Sequence, residues 1–426
     1  MKTVLILLTF LSLNGIVFAQ PSADLVRRIA ESAALFSDSP GGYDTLFSPE
    51  FLHQVSAVQL SGIYSDYFKQ YGRMTKWNFV DSSKASSAKV RLFLSKGFTV
   101  DEHITVGESG MHLIDGLLLS AATPQIKSLS ELTKKLGNLR GSAAFLAAKL
   151  SDRGIEPIAS LNPDTALALG SAFKLYVLAT LLKEINEGKR HWGDVIYYDS
   201  GQRAFPSGEM QKWPDHSPVT LATAATLMIS ISDNTATDLL IHTLGRNKIE
   251  AMLKEAGNAH WSRDVPFLTT LEMFKLKSGD ATLGKEYLDL NPPQRERFLI
   301  TTVAAYPHDS VHFNAEITMI DQIEWFASPR DIANVLNYIR EHSTTGDGRF
   351  VRKILAVNPG LSIDKEKWAY AGYKGGSEPG VLNLSFLLES KNDEWYVLTG
   401  TWNDTEAALK EENFEGYMQS ALNLVP

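Results

Sequence analysis

The sequence predicts an α+β protein of two domains, each an antiparallel sheet flanked by helices. Three observations carry that expectation. Apolar residues recur at helical spacing from about residue 22 to 72, and between Met74 and Thr123 the period falls to two. Beyond that, strand-like runs stand at both ends of a long helical middle, so one antiparallel sheet is expected to be assembled from the two ends of the larger domain. The division is placed near residue 126, giving a small cone-like domain over 20–126 and a larger one over 127–426.

The elements follow in order. "ADLVRRIAESAALF" puts Leu25, Ile29 and Ala33 on one face, and "FLHQVSAVQLSGIYSDYFKQYG" repeats the period, so two or three helices open the small domain. "KVRLFLSKGFTVDEHITVG" and "GMHLIDGLLLSAA" then alternate as an antiparallel meander able to curve around the long helix. After Thr123-Pro124 comes a helix, "LSELTKKLGNL", and then a hairpin, "SAAFLAAKL" and "IEPIASL", joined by Asp152-Arg153-Gly154. A long helix is expected from Ser171 to about Gly188, with helices dominating to about 275. The tail returns to strands, "GVLNLSFLLES" and "EWYVLTGTW", and closes on the helix "EENFEGYMQSALNLV".

Composition narrows the chemistry. With 426 residues and 44% hydrophobic side chains the chain can bury a large core. Its 41 Lys plus Arg against 49 Asp plus Glu leave a net charge of −8, which disfavours nucleic acid as a partner. Cysteine is absent, so disulfides, thiol nucleophiles and thiolate metal sites are excluded. Residues 1–19 read as a secretory signal peptide: Met1-Lys2 precedes the apolar run "TVLILLTFLSLNGIVFA", with Val17 and Ala19 set before a cut at Gln20. Later apolar runs are too short to span a bilayer, so an exported protein, periplasmic or secreted, with no stable membrane span after cleavage is expected.

Ser-x-x-Lys occurs at Ser86, Ser171 and Ser362, and context chooses among them. Only Ser171-Ala172-Phe173-Lys174 opens an apolar helix, where positions three apart share a face and Lys174 can reach the Ser171 hydroxyl. A partly desolvated lysine near a helix N-terminus loses its proton more readily, becoming a base that activates Ser171 as nucleophile. Ser232-Asp233-Asn234 interrupts two apolar faces in "TLMISISDNTATDLLIHTLG", and three polar groups there must hydrogen-bond or work. Ser232 can relay a proton, Asp233 can cap a helix or pin a loop, and Asn234 can donate its amide to a substrate carbonyl. In "YKGGSEPGV", Lys374 precedes Gly375-Gly376 at the expected start of a strand, where a substrate can lie against bare backbone.

In order and type, these three elements resemble the class A serine β-lactamase and penicillin-binding-protein superfamily, over about residues 127–426. The resemblance implies a β-lactamase/transpeptidase-like catalytic domain needing no metal or organic cofactor. It implies that Ser171 attacks a strained amide with Lys174 as base, that Ser232 carries a proton to the leaving nitrogen, and that Asn234 holds the substrate's side-chain amide. Lys374 would hold anionic charge, and the backbone N–H groups of Ser171 and of Ser377, just after Gly376, would form the oxyanion hole. The expected substrate is a small β-lactam, with a cell-wall peptide or ester as the alternative, cleaved by a D-alanyl-D-alanine peptidase or bound without turnover. The small domain resembles the ketosteroid isomerase/polyketide cyclase cone, and its fusion is similar to the β-lactamase-fold proteins of clavulanic acid clusters. Asp66, Asp81, Asp101 and Asp115 are its acidic candidates by type alone.

Two departures stand out. Gly375 replaces the hydroxyl residue usual in the third motif, with Ser377 as a candidate substitute. No Glu-x-x-Leu-Asn can be placed: in "EYLDLN", Glu286 is one residue too far from Asn291, and the 142-residue step from Ser232 to Lys374 points to a rebuilt loop. Slow deacylation, or deacylation by another base, is therefore expected. "GDATLGKE" lacks the Ser or Thr of a phosphate loop, and His308 and His312 lack a metal-binding helix.

Overall fold

A computed structural model describes residues 21–426 except 82–83, 109, 279–280, 309–310 and 312–315. The signal-peptide reading of residues 1–19 and His312 lie outside the described residues. The chain forms two compact units that divide between Gln125 and Ile126.

The first unit opens with four helices among the described residues, one more than expected: α1 (Ala23–Ala34), α2 (Tyr43–Leu46), α3 (Pro49–Gln54) and α4 (Ala57–Tyr71). Helices α2 and α3 are too brief to show a period in sequence, and only α3 has a side-chain cap, from Ser48. The strands are β1 (Met74–Asp81), β2 (Ser87–Leu94), β3 (Phe98–Val106), β4 (Ile114–Leu119) and β5 (Thr123–Pro124). They pair antiparallel in the order β1-β2-β3-β4, with β5 also on β3. Leu25, Ile29 and Ala33 of α1 are buried together with Val90 and Leu92 of β2 and Val100 and Ile104 of β3. On that same inward face of β3, Glu102 is fully buried. Its carboxylate accepts from the Ser32 hydroxyl, which also pairs with Tyr64 at 2.9 Å, and its second oxygen has no partner among the described residues.

The second unit begins with α5 (Leu129–Gly137), β6 (Ser142–Ser151), β7 (Gly154–Leu161) and β8 (Leu167–Ala168), then a 3-10 turn (Gly170–Phe173) that runs into α6 (Lys174–Asn186). The short pair β9 (Val195–Tyr197) and β10 (Pro218–Thr220) precedes α7 (Leu221–Ser230), α8 (Asn234–Leu244), α9 (Arg246–Glu255) and α10 (Thr270–Lys277). The stretch read as a rebuilt loop is largely helical, contributing α10, α11 (Thr282–Leu288) and α12 (Pro292–Phe298). The chain continues through β11 (Phe326–Ala327), α13 (Pro329–His342), α14 (Phe350–Leu355), β12 (Trp368–Glu378), β13 (Val381–Ser390), β14 (Trp395–Asn403) and α15 (Glu411–Leu424).

Its main sheet is antiparallel in the order β12-β13-β14-β6-β7, so the two ends of the unit do meet in one sheet. Alternation along β6 sends Phe145 and Ala147 to a layer with Leu132, Phe414 and Met418, while Leu146 and Ala148 face the helical core around α6. With helices on both faces, a central strand is apolar throughout, which is why β6 and β13 read as continuous hydrophobic runs. Helix α6 is buried on nearly every side from Lys174 to Ile185. Its first residue is therefore a fully buried lysine.

Candidate active site

The turn before α6 is held by its neighbours. Phe173 stacks on Trp325 with ring centroids 3.7 Å apart and meets Phe267 edge-on, contacts worth about 0.5–1.5 kcal/mol each beyond simple burial. The Leu169 N–H donates to the Trp325 carbonyl, continuing the β8–β11 pairing. Gly170 takes φ +52° where a β-carbon would lie 2.9 Å from the Ser377 nitrogen, and a β-carbon on Gly376 would lie 2.4 Å from the Ser171 nitrogen. Bare backbone on both sides lets β12 close against the turn. This seam carries the Ser171 and Ser377 N–H groups.

Lys174 is fully buried, and its nitrogen lies 3.1 Å from Ser171 Oγ and 3.1 Å from Ser232 Oγ. It donates to the Ser232 carbonyl and to Asn234 Oδ1, both at 2.7 Å. Those two shortest bonds go to atoms that can only accept. The Asn234 orientation is fixed because its Nδ2 donates to the Phe205 carbonyl, and a flipped amide would set donor against donor. A neutral amine uses its two N–H groups on these acceptors and turns its lone pair toward the hydroxyls. Burial is the main cause that holds Lys174 well below the usual lysine range, with the Lys374 charge second, opposed by Asp238 and Asp233.

Ser232 adopts φ +58°, a left-handed conformation costly for a side-chain-bearing residue, and thereby presents both its carbonyl and its hydroxyl to Lys174. Its hydroxyl also lies 3.1 Å from Lys374 Nζ, so one oxygen bridges two lysines. Asp233 fills both roles open to it. One oxygen caps α8 through the Ala236 N–H at 2.8 Å, and the other accepts from Glu209 and Met210 at 2.7 and 2.8 Å.

Lys374 does not stand at the start of a strand as expected but in the second half of β12, 3% exposed. The strand extends upstream through "WAYAGY", a run whose glycine and aromatics hid its period. Burial pushes the Lys374 ammonium down to about 7. Ser171, Ser232, Asn234, Lys374, Gly376 and Ser377 all line one cavity of about 540 Å³, with Lys174 beneath them. Asn234 retains one amide hydrogen beyond its bond to Phe205.

Glu286 is exposed on α11 and does not line that cavity. Its position on the solvent face of a short helix removes it from the site. Ser86 lies in the first unit, and among the described residues there is no cluster of three or more metal-type ligands. Among the cavity residues that sequence reasoning missed are Tyr373, Lys277, Glu324 and Glu378. A β-carbon on Gly375 would lie 2.1 Å from the Tyr373 hydroxyl oxygen, so that phenol occupies the space of the absent side chain. Burial, with Glu415 nearby, pushes Tyr373 up to about 12 and keeps it a donor. The one available sign of Glu324 was a charged residue inside the apolar run "IEWFA".

An antiparallel sheet packed between helices, with this pocket against its β12 edge, is the architecture of the serine hydrolases of the β-lactamase and penicillin-binding-protein superfamily. The model of the β-lactamase enzyme family (Beta-lactamase2) matches residues 127–347, more than half of the chain, and the chain belongs to that family. Among solved structures it is similar to a β-lactamase from Sphaerobacter thermophilus DSM 20745, at 19% identity over 69% of this chain and 94% of that one, with a TM-score of 0.49. It is also similar to PBP-A, at 16% identity over 70% and 96% with a TM-score of 0.46. A third similar structure, a β-lactamase from Francisella tularensis, is 13% identical over 70% and 98%, with a TM-score of 0.49. No curated protein matches the sequence.

Proposed function

We propose that the protein is an exported β-lactam hydrolase that works through an acyl-enzyme on Ser171, with slow turnover. The observation that carries this reading is the buried Lys174 amine 3.1 Å from Ser171 Oγ, its N–H groups engaged by obligate acceptors. Lys174 then takes the Ser171 proton as Oγ attacks the lactam carbonyl. The Ser232 hydroxyl, between Lys174 and Lys374, passes a proton to the departing nitrogen. The Ser171 and Ser377 N–H groups face the developing oxyanion, and the second Asn234 amide hydrogen is available to a substrate carbonyl. Lys374 and the Tyr373 phenol hold the substrate carboxylate, the phenol taking the place of the hydroxyl missing at Gly375.

A second reading, a D-alanyl-D-alanine peptidase or a protein that stays acylated, is favoured by the distance of Glu286 from the cavity. Intact-protein mass spectrometry with benzylpenicillin and a chromogenic cephalosporin, beside Ser171→Ala, separates the two. A transient adduct with product release supports the hydrolase. A lasting adduct supports the second reading, and an adduct unaffected by Ser171→Ala refutes both.

A further inference from the structure

The cavity that holds Ser171 has a second charged wall which the chemistry above leaves unused. Glu324 and Glu378 both line it, and Lys277 joins them, its nitrogen 2.6 Å from Glu378 Oε1 and 3.4 Å from Glu324 Oε1. The side chain of Glu324 is 0% exposed, that of Lys277 7% and that of Glu378 11%. Both carboxyls meet the one Lys277 ammonium, which bridges them. Burial first, and the Glu378 charge second, hold Glu324 well above the usual carboxyl range.

Placing two carboxyls around one ammonium in a protein interior is a poor way to stabilise a fold, because desolvation offsets the attraction. Their position is more telling. In the β8–β11 pairing Phe326 faces Ala168, and the Leu169 N–H donates to the Trp325 carbonyl, which sets Glu324 next to the bond that leads into the Ser171 turn. Glu378 lies two residues beyond Gly376 and so shares its face of β12, the face that closes on the Ser171 backbone. Two distant segments each deliver a carboxyl to the wall of the cavity that holds Ser171.

We propose that the Glu324–Glu378 carboxyl pair, held by Lys277, is the water-activating base that frees Ser171 from its acyl group. This rests on the acyl-enzyme reading of Ser171. A carboxylate of the pair accepts a proton from water as the water oxygen bonds to the ester carbonyl carbon. The tetrahedral intermediate collapses, the bond from carbon to Ser171 Oγ breaks, and Oγ takes up the proton as the carboxylic acid product leaves. No oxidant, metal or further reactant is needed.

The test follows adduct formation and loss on the full chain by intact mass, with benzylpenicillin, for native protein and for Glu324→Gln and Glu378→Gln. Glu286→Gln is the control, with native kinetics expected. Adduct formation is expected within about threefold of native, while adduct lifetime lengthens by about 10²–10⁴-fold. Hydroxylamine, which attacks without a base, is expected to release the adduct equally fast from native and variant proteins. An unchanged lifetime in both Gln variants overturns the proposal while leaving the acyl-enzyme intact, and absence of any adduct on the native protein overturns both. Should a Gln variant fail to acylate, Glu324→Asp, which keeps the carboxyl but withdraws it by one methylene, is expected to lengthen the lifetime at least tenfold. A native lifetime there also overturns the proposal.

Discussion

The Lys174 side-chain nitrogen stands 3.1 Å from Ser171 Oγ, three residues away, at the start of a buried helix. A charge at that point is costly, and the groups that meet the nitrogen, Ser171, Ser232 and Asn234, all line the cavity. Lys174→Ala is therefore expected to lower the rate of Ser171 acylation by about 10²–10⁴-fold. Its thermal midpoint at neutral pH should equal or exceed that of the native protein, because a desolvated amine is removed. Stopped acylation followed by mass spectrometry, together with calorimetry, reads both. Native acylation by Lys174→Ala would rule it out as the base.

Lys374 holds its charge only below about 7, so the grip on an anionic substrate should weaken above that pH. For benzylpenicillin, acylation kcat/KM is expected to fall as pH rises through about 7. For an uncharged ester substrate that falling limb should be absent, since Lys374 has no carboxylate to hold. Parallel pH profiles between 5 and 9 make the comparison, and identical profiles would remove Lys374 from carboxylate binding.

Gly376 has no room for a β-carbon, which would lie 2.2 Å from the Leu169 carbonyl and 2.4 Å from the Ser171 nitrogen. Gly376→Ala must push β12 away from the nucleophile turn and separate the two N–H groups on the seam. A loss of about 10²–10³-fold in acylation rate is expected, the cost typical of one oxyanion donor. Retention of native kinetics would mean that the seam is not the oxyanion site.

At Gly375 the obstacle is the Tyr373 phenol. Tyr373→Phe should raise KM for an anionic β-lactam by roughly 10-fold or more, as expected for a hydrogen bond to a charged group, with kcat little changed. Gly375→Thr alone should disturb the strand. Combined with Tyr373→Ala it should recover affinity, and failure of that pair would show that the phenol is not the substitute hydroxyl.

In the first unit, burial raises Glu102 from 4.5 to about 7. Between those values the folded chain binds more protons than the unfolded one, so this unit loses stability as pH rises from 4.5 to 7, by about 3 kcal/mol. Glu102→Gln should abolish that slope and stabilise the protein at pH 8. Denaturant unfolding of the full chain at pH 5 and 8 gives the measurement, and an equal loss with pH in the variant would refute it.

What could be read from the sequence was chemistry carried by local spacing. Ser171 and Lys174 are three residues apart on a helix whose apolar run requires burial, and Ser232-Asp233-Asn234 is a polar break between two apolar faces. The acidic candidates of the first unit were read less well. Asp101 forms a half-buried ion pair with Arg91 and Lys89, while Glu102, its neighbour on the opposite face of β3, is the buried carboxyl. A strand of period two shows which residues share a face but not which face turns inward when both carry charge.

The sequence by itself therefore determined the fold class, the two-ended sheet and the three motifs that meet in the cavity. Each depends on periodicity or on contacts within a helical turn, which the chain encodes locally. Only the tertiary structure decided that Lys374 lies deep within β12, that Tyr373 fills the space left by Gly375, and that Glu324 and Glu378 converge on Lys277. Those relations arise where β8 meets β11 and β12 closes on the Ser171 turn, between segments far apart in the chain. No local period specifies such pairings, because long-range strand register is set by the packing of the whole core.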